Sequence, residues 1–369
     1  MIATYPVPGV AWDYVQYVSG LLDLGYEVVY LEDTGLDSYH ASPATYLQES
    51  LNRLIQPRRI RWHYRKPDGT TDGISVEALR RDFADADVFI NVSGGALLRD
   101  EYMQCANKIL IDTDPGLNQF VNYPKWDASP GYEGTHGYRG HDHFFTYATR
   151  IGRTDCTIPT LGIDWKTTLP PVTLRDWAPS GAASTWTTVM SWKPFQHYSE
   201  NVLPSGISIG AKEVEFPKIE RLPTVCKSSL EVAVGGQGAP LEYWRSLGWR
   251  TAEADVVAGE LDMYNRYISS SRGECSVAKH MYVATHSGWF STRSVCYLAA
   301  SRPIVVQETG FSETIPTGHG ILAFSTLEEA QTAIDAVESD YRLHQTAARD
   351  AADTVFRSDV VIRKLLESL

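Results

Sequence analysis

Residues 286–294 carry a histidine, small residues and several hydroxyl groups at the predicted start of a helix. Residues 281–285 before them have the pattern of a short strand, and residues 295–300 continue as an apolar run that fits a helix. A strand, a small-residue turn and a helix N-terminus favour an anion, because free backbone N–H groups and the helix dipole attract it. The segment therefore predicts a phosphate-binding site. The alternative is that His286 and Trp289 are core residues of an ordinary strand-to-helix turn.

Charged and polar residues flank this segment. Glu274 is a candidate to hold a ribose hydroxyl pair, and Arg272 and Lys279 are candidates to neutralise diphosphate charge. The alternative for each of these residues is a solvated charged turn. Gln307 and Glu308 end the next predicted strand.

The elements that must position these residues follow a βαβ rhythm, because Gly- and Pro-marked breaks alternate with helical and β-branched segments. This rhythm predicts an α/β fold with two doubly wound, Rossmann-like domains whose loops face a central cleft. Proline-rich residues 169–181 predict a linker between a first domain, 1–168, and a second domain, 182–337. Residues 338–369 predict a helical region that can pack back on the first domain.

Individual elements are also predicted. The predicted strands cover residues 2–5, 27–31, 86–92, 108–112, 187–190, 230–234 and 304–306, and the predicted helices cover residues 12–24 and 240–247. Thr326 and Glu329 have the spacing of a capping box that opens a further helix.

The composition limits the class of protein. The chain has 369 residues, of which 43% are hydrophobic and 21% charged, as in a soluble protein of two domains. A net charge of −12 argues against a broad nucleic-acid-binding face. Five scattered cysteines without a C-x-x-C pair favour reduced thiols over disulfides or a zinc site. With no long apolar run and no secretory signal pattern, we expect a cytoplasmic protein without a membrane span.

The phosphate-site segment resembles a motif of UDP-sugar glycosyltransferases of the GT-B fold. Their His-Cys-Gly-Trp-Asn-Ser-Thr run is matched by residues 286–292, with Ser287 in place of Cys and Phe290 in place of Asn. The resemblance implies transfer of a sugar from a nucleoside diphosphate donor, most readily a UDP-sugar, to an acceptor hydroxyl. It also implies that no metal or other cofactor is needed, because positive groups and a helix N-terminus stabilise the leaving diphosphate.

The same resemblance assigns roles to residues. It implies donor diphosphate contacts from the matched run and its neighbours, namely His286, Ser287, Gly288, Ser291, Thr292 and Arg293. Lys193, after the predicted strand 187–190, matches a diphosphate-binding lysine of the retaining enzymes, and Lys212 competes for that role. Gln307 and Glu308 loosely match an Asp-Gln pair that holds sugar hydroxyls.

The resemblance also implies a general base in the loop before the first helix, where inverting enzymes often carry a histidine. This sequence has Asp13 there instead, and a carboxylate can act as a base when burial raises its pKa. The alternative is an acidic first-turn residue favoured by the helix dipole. His141 is the second candidate base. It lies in residues 123–143, rich in glycine, aromatic residues and histidine, which predict an acceptor-binding loop rather than a metal site.

Three other functions remain open. The fold also serves sugar-nucleotide epimerases, a non-catalytic nucleotide-sugar-binding protein is possible, and so is a phage enzyme that glycosylates modified DNA bases. The acceptor is accordingly a small molecule, a glycan or a modified nucleobase.

Overall fold

The computed structural model describes residues 1–128, 135–178, 180–181, 184–192, 206 and 210–369. Within these residues it contains three β-sheets, of three, four and six strands, and helices that cover them. No helix in the described part of the chain is long and apolar enough to cross a membrane.

The N-terminal half contains the two smaller sheets. Its strands are β1 (Val29–Glu32), β2 (Arg61–Arg65), β3 (Thr71–Gly73), β4 (Phe89–Val92), β5 (Lys108–Asp112), β6 (His143–Thr146) and β7 (Trp165–Thr167). Its helices are α1 (Pro8–Asp23), α2 (Pro43–Leu54), α3 (Val76–Asp85) and α4 (Tyr123–Asp127). The three-stranded sheet has the order β1-β2-β3, and the four-stranded sheet has the order β4-β5-β6-β7. Every pairing is parallel except that of β2 with β3.

One parallel bridge, between Asp33 and Ala96, joins these two sheets just beyond β1 and β4. It shows that both strands run in the same direction. The backbones of β1 and β4 themselves do not pair with each other. Each of these strands is therefore an edge strand of its own sheet.

The C-terminal half contains one parallel sheet of order β10-β9-β8-β11-β12-β13. Its strands are β8 (Thr185–Ser191), β9 (Ser229–Gly235), β10 (Arg250–Glu253), β11 (Gly273–Ser276), β12 (Ile304–Gln307) and β13 (Ile321–Phe324). Its helices are α5 (Lys212–Glu215), α6 (Leu222–Val225), α7 (Leu241–Ser246), α8 (Ala254–Ala258), α9 (Leu261–Ser269), α10 (His280–Ala284), α11 (Thr292–Ala299) and α12 (Leu327–Ser339). Helices α13 (Tyr341–Ala351) and α14 (Ser358–Glu367) complete the chain.

The last helix packs against the N-terminal half. A Cβ at Gly20 of α1 would lie 2.5 Å from Ile362 Cδ1 of α14 and 2.8 Å from Ser358 Cβ. Glycine at this position therefore lets the two helices approach closely. The C-terminal helix thus ties together the two ends of the chain.

The predicted linker is packed rather than solvent-extended in its described part. Val172 forms a parallel bridge with Arg357, and Val172 and Trp177 are fully buried. The ring of Trp177 lies 4.7 Å from that of Trp12 in α1. Apolar burial therefore fixes this segment, although its prolines suit an extended chain.

Three local predictions are wrong. Residues 2–5 form a turn closed by the Tyr5 N–H to the Met1 carbonyl at 2.9 Å, not a strand. Residues 281–284 lie in helix α10 and Thr285 is its C-cap, because the short apolar run follows the extended Lys279 as a helix N-cap and pairs with no strand. The next helix begins at Thr292 rather than near His286, whose φ of 50° lies in the left-handed region.

Candidate active site

Helix α11 begins at the carboxyl end of the six-stranded sheet, between β11 and β12. Its N-cap, Ser291, makes no side-chain capping bond, and Ser291 and Thr292 are partly exposed. The first-turn N–H groups of a helix have no partner within the helix. A small cavity of about 20 Å³, lined by Ser276, Ser291, Arg293 and Gln307 among others, lies at this end. This helix N-terminus can therefore attract an anion.

An ion pair between the partly buried Arg293 and the fully buried Glu274 forms the base of this site. Arg293 Nε lies 2.7 Å from Glu274 Oε1, and Arg293 Nη1 donates to the Val189 carbonyl at 2.9 Å. Burial alone would lower the pKa of Arg293, but Glu274 raises it above its ordinary value. Glu274 is fully buried, and its Oε2 has no hydrogen-bond partner among the described residues. This oxygen is therefore a free acceptor that suits a ligand hydroxyl.

Two lysines add positive charge. Lys212 is the first residue of α5, and burial together with the charges of Arg293 and Lys279 lowers its pKa well below the usual range, against the pull of Glu274. No ion pair of Lys212 occurs within the described ranges. Lys279 Nζ pairs with Asp114 Oδ2 at 2.7 Å. Three basic groups thus lie near one another with a single buried carboxylate among them, and a bound anion would stabilise their charged forms.

Asp13 is a residue of the N-terminal half that lies at this site. It lies in the second turn of α1, and its carboxylate is hydrogen-bonded to Thr292, the first residue of α11. Burial raises the pKa of Asp13 to about 7, while Thr292 and the nearby Arg293 act in the opposite direction. A carboxyl group with this pKa accepts a proton readily near neutral pH.

The polar residues at the end of β12 are engaged within the chain. Gln307 Oε1 accepts from the Ala278 N–H at 3.1 Å, and its amide nitrogen donates to the buried Glu215. Glu215 also accepts from His280 Nδ1 at 2.6 Å. Glu308 Oε1 accepts from the Gly310 N–H at 2.6 Å, which shapes the loop after the strand. Gln307 lines the cavity at the N-terminus of α11, and both residues expected to hold the sugar already have polar atoms engaged within the chain.

The two halves meet directly beside this site. Trp289 Nε1 donates to the Thr113 carbonyl at 3.1 Å, and the Tyr282 hydroxyl donates to Asp114. Thr149 Oγ1 donates to the Gly288 carbonyl at 3.0 Å. The cleft between the halves is therefore closed at this point.

Solved structures show the same architecture. Anabaena HepE, solved with UDP and glucose, has a TM-score of 0.54 and 9% identity over 93% of this chain and 98% of that chain. A glycosyltransferase from Rickettsia africae has a TM-score of 0.52 and 10% identity over 100% and 95% of the two chains. AviGT4, a glycosyltransferase of avilamycin A biosynthesis, has a TM-score of 0.50 and 13% identity over 97% and 88%.

The chain has the GT-B fold. This confirms the fold class expected from the sequence, an α/β chain with two doubly wound halves. No protein-family model and no curated protein sequence matches the chain. At 9–13% identity, these structures establish the fold and leave the reaction to be argued from the site.

Within this GT-B fold, the first residues of the matched run shape the turn before α11. Ser287 is fully buried, and its hydroxyl links the Tyr282 carbonyl to the Trp289 N–H at 3.1 Å each. Gly288 has a φ of 75° and its N–H donates to the Thr309 carbonyl at 2.7 Å. The exposed His286 lies near Asp155. The structure therefore brings Ser291, Thr292 and Arg293 together, whereas Ser287 and Gly288 shape the backbone of the turn and His286 lies outside the site.

Arg272 lies at the opposite end of β11 from the site. Its Nε donates to Glu338 Oε1 at 3.0 Å and its Nη2 to Glu338 Oε2 at 2.5 Å. Its guanidinium also stacks on the Tyr341 ring at 3.4 Å. Arg272 therefore anchors α12 and α13, and it does not reach the groups around α11.

His141 lies inside the N-terminal half. Its Nδ1 contacts the Tyr138 carbonyl at 2.7 Å and its Nε2 contacts Asn91 at 3.1 Å. Burial lowers its pKa to about 4, so the ring is neutral at pH 7. Its ring nitrogens are both occupied, so it is poorly placed to accept a substrate proton. The described residues contain no group of three His, Cys, Asp or Glu side chains that could hold a metal ion.

Lys193 lies outside the described residues, as do residues 129–134 of the expected acceptor loop. At the adjoining ends of that loop, Tyr123 stacks on Tyr138 with ring centroids 4.2 Å apart. These two aromatic side chains are buried, so they support the loop rather than present a face to a ligand.

Sequence reasoning missed Asp114 as a partner of Lys279 and gave Lys212 only second place. Asp114 follows the predicted strand 108–112, and the carboxyl end of that strand was a usable signal. Lys212 lies in a helix of four residues, which is too short to show a periodic pattern.

Proposed function

We propose that this protein is a glycosyltransferase that moves a sugar from a nucleoside diphosphate donor, a UDP-sugar first of all, to an acceptor hydroxyl. The observation that carries the proposal is the convergence of Lys212, Arg293 and the N-terminus of α11 on one point, with Asp13 beside it. Phosphate charge is the natural ligand of such a point.

In this proposal the donor diphosphate lies at the N-terminus of α11. The hydroxyls of Ser291 and Thr292 and the first-turn N–H groups donate to its oxygens, and the ammonium of Lys212 neutralises its charge. The same groups stabilise the negative charge that develops on the diphosphate as the bond to the sugar breaks. The free Oε2 of Glu274 accepts from a donor hydroxyl.

Asp13 serves as the general base. Its carboxylate removes the proton from the acceptor hydroxyl as the acceptor oxygen attacks the anomeric carbon and the diphosphate leaves. The raised pKa of about 7 suits this role, because a base works best with a pKa near the working pH. Its hydrogen bond to Thr292 keeps it beside the leaving group.

The two halves must separate for the donor to enter. The cavity at the N-terminus of α11 has a volume of about 20 Å³, which is room for about one water molecule. Opening would break the Lys279–Asp114 pair and the Trp289–Thr113 bond, and it would free the Lys279 ammonium for the donor. We propose that the donor replaces Asp114 as the partner of Lys279.

No metal ion takes part in this proposal, because Lys212, Arg293 and Lys279 supply the positive charge. The acceptor is an alcohol of a small molecule, a glycan or a modified nucleobase.

A thermal-shift series with UDP, GDP, TDP, ADP and CMP, each with and without magnesium, tests the donor site. A ligand that binds only the folded state raises the melting temperature, by an amount that corresponds to about 2.7 kcal/mol at a hundred times its Kd. We expect a shift with UDP that magnesium does not change. No shift with any nucleotide would reject the proposal, and hydrolysis of UDP-sugars by the protein that binds UDP tests the reaction next.

A further inference from the structure

The N-terminal half contains a cavity of about 460 Å³ between β1 and β4. We call it the strand slot, and it is lined by β1, β4 and the adjoining faces of α1 and α3. The two strands are the edge strands of their sheets and run parallel, as the Asp33–Ala96 bridge shows. Each strand pairs on one side only, with β2 and with β5 respectively. Two open backbone edges therefore face one cavity.

Burial along the strands shows that the slot is apolar and incompletely filled. All five residues of β5 are buried, whereas only one of the four residues of β4, Asn91, is buried. In β1, Val29 and Leu31 are only partly buried. A strand inside an α/β sheet is normally covered on both faces and both edges. The partly exposed side chains of β1 and β4 therefore mark an uncovered place within the sheet.

The two helix layers that cover a sheet are already present at the slot. Tyr14, Tyr17 and Val18 of α1 line it, and so do Leu79 and Phe83 of α3. A ligand between these layers must be flat and must offer hydrogen bonds along both edges. An extended peptide meets both requirements, and four residues of a strand span about 13 Å at about 3.3 Å per residue.

The carboxyl end of the slot is occupied by Met1. Its ammonium lies 3.0 Å from the Tyr30 hydroxyl and 2.7 Å from Glu32 Oε2, both on β1. Its Cγ would lie 3.3 Å from a Cβ at Gly95, which follows β4. A strand in the slot that ends at Met1 runs parallel to β1 and β4 and leads through α1 to β1. This connection is the βαβ unit on which parallel sheets are built.

The opposite end of the slot is acidic. Glu27 and Asp82 pair with Arg61, at 3.2 and 2.9 Å. Asp85 and Asp87, just before β4, have no ion pair within the part of the chain that the structure describes. A basic residue at the amino end of a segment in the slot would meet these carboxylates.

We propose that the strand slot binds a short extended segment, apolar over about four residues and basic at its amino end, which joins the chain at the backbone nitrogen of Met1. The segment pairs with β1 on one side and β4 on the other, and it unites the two smaller sheets into one. The proposal does not depend on the proposed reaction, because it rests on the backbone edges alone.

The test compares three forms of the protein by amide hydrogen exchange and melting temperature. One is the chain that begins at Met1, the second carries Lys-Ile-Val-Ile-Val joined before Met1, and the third carries Lys-Ile-Pro-Ile-Pro at the same place. We expect the first extension to slow exchange in β1 and β4 by about tenfold or more and to raise the melting temperature. The proline control lacks two of the N–H groups needed for pairing and should do neither.

Equal exchange rates in all three forms would overturn the proposal. A peptide Lys-Ile-Val-Ile-Val added separately provides the final arm. Protection by the separate peptide without protection by the joined segment would overturn the assignment of Met1 as the junction. Exchange in β11 and β12 serves as the internal reference, because these strands already have a partner on each side.

Discussion

The two halves of the molecule differ most in how completely their sheet strands are covered. In the C-terminal half all four residues of β11 and of β12 are buried, within a continuous sheet of six strands. In the N-terminal half β1 and β4 are half-buried edges that face the strand slot. The residues proposed to bind the sugar donor, among them Glu274 and Arg293, therefore lie on a complete sheet, where packing fixes their positions. The proposed base, Asp13, belongs to a helix over an incomplete one.

The largest expected effect is the loss of kcat in Asp13→Asn, a substitution in the N-terminal half. Loss of a general base lowers kcat by about 10²- to 10⁴-fold. The carboxylate is the active form, so kcat/KM of the natural protein should rise with pH up to about 7 and then level off. This rising limb should be absent from the variant, as a pH profile of transfer or donor hydrolysis would show.

Stability and UDP affinity provide the controls for Asp13→Asn. The folded protein holds the Asp13 proton up to a pH of about 7, whereas an unfolded chain releases it near its ordinary value of about 3.9. Ionised Asp13 therefore costs stability increasingly between these two values, so the variant should melt higher than the natural protein at pH 8. UDP affinity should change little. A pH profile identical to that of the natural protein would remove Asp13 as the base.

The next largest effect tests the packing difference between the sheets. A Cβ at Gly273 of β11 would lie 2.5 Å from the Pro303 carbonyl oxygen and 2.6 Å from the Trp186 ring. At Gly95, beside the slot, the nearest atoms are the Val92 carbonyl oxygen at 3.2 Å and the flexible Met1 side chain at 3.3 Å. Gly273→Ala should therefore lower the free energy of unfolding by about 1–3 kcal/mol, and Gly95→Ala by less. Denaturant unfolding measures both, and equal losses would contradict the comparison.

A smaller effect separates the two ends of β11. Arg272→Met removes the bidentate pair with Glu338 and the stacking on Tyr341 at the amino end. It should lower the free energy of unfolding by about 1–2 kcal/mol and leave UDP affinity unchanged. Calorimetric titration with UDP is the check. A marked loss of UDP affinity in a folded variant would contradict this and would indicate that Arg272 contributes to donor binding.

Elements with a strong local pattern were predictable from the sequence. The strand over residues 108–112 has the predicted bounds, and the capping box of Thr326 and Glu329 is present with both of its hydrogen bonds. The strand after Pro303 is also present, one residue longer than predicted. In these cases the local preferences and the tertiary packing agree.

Features that depend on tertiary contacts were not predictable. Residues 281–285 are apolar and fit a strand or a helix equally, and only the contacts of Tyr282 with Trp289 and Asp114 decide between them. From the sequence alone, Arg272 is a plausible ligand-binding residue. Only the structure shows that it pairs with Glu338, 66 positions away in the chain. The strand slot could not be predicted from the sequence, because the pattern of residues 86–92 predicts a strand but does not show which strands pair with it.

The central claim is that Lys212 and the N-terminus of α11 bind the donor diphosphate, and UDP titration of Lys212→Met tests it most directly. Methionine keeps most of the length of the side chain but removes its charge. The matched control is Lys227→Met, an exposed lysine before β9, at the amino end of the same sheet. We predict that Lys212→Met weakens UDP binding about tenfold or more and that Lys227→Met leaves it unchanged. Equal affinity in the natural protein and in folded Lys212→Met would contradict the account.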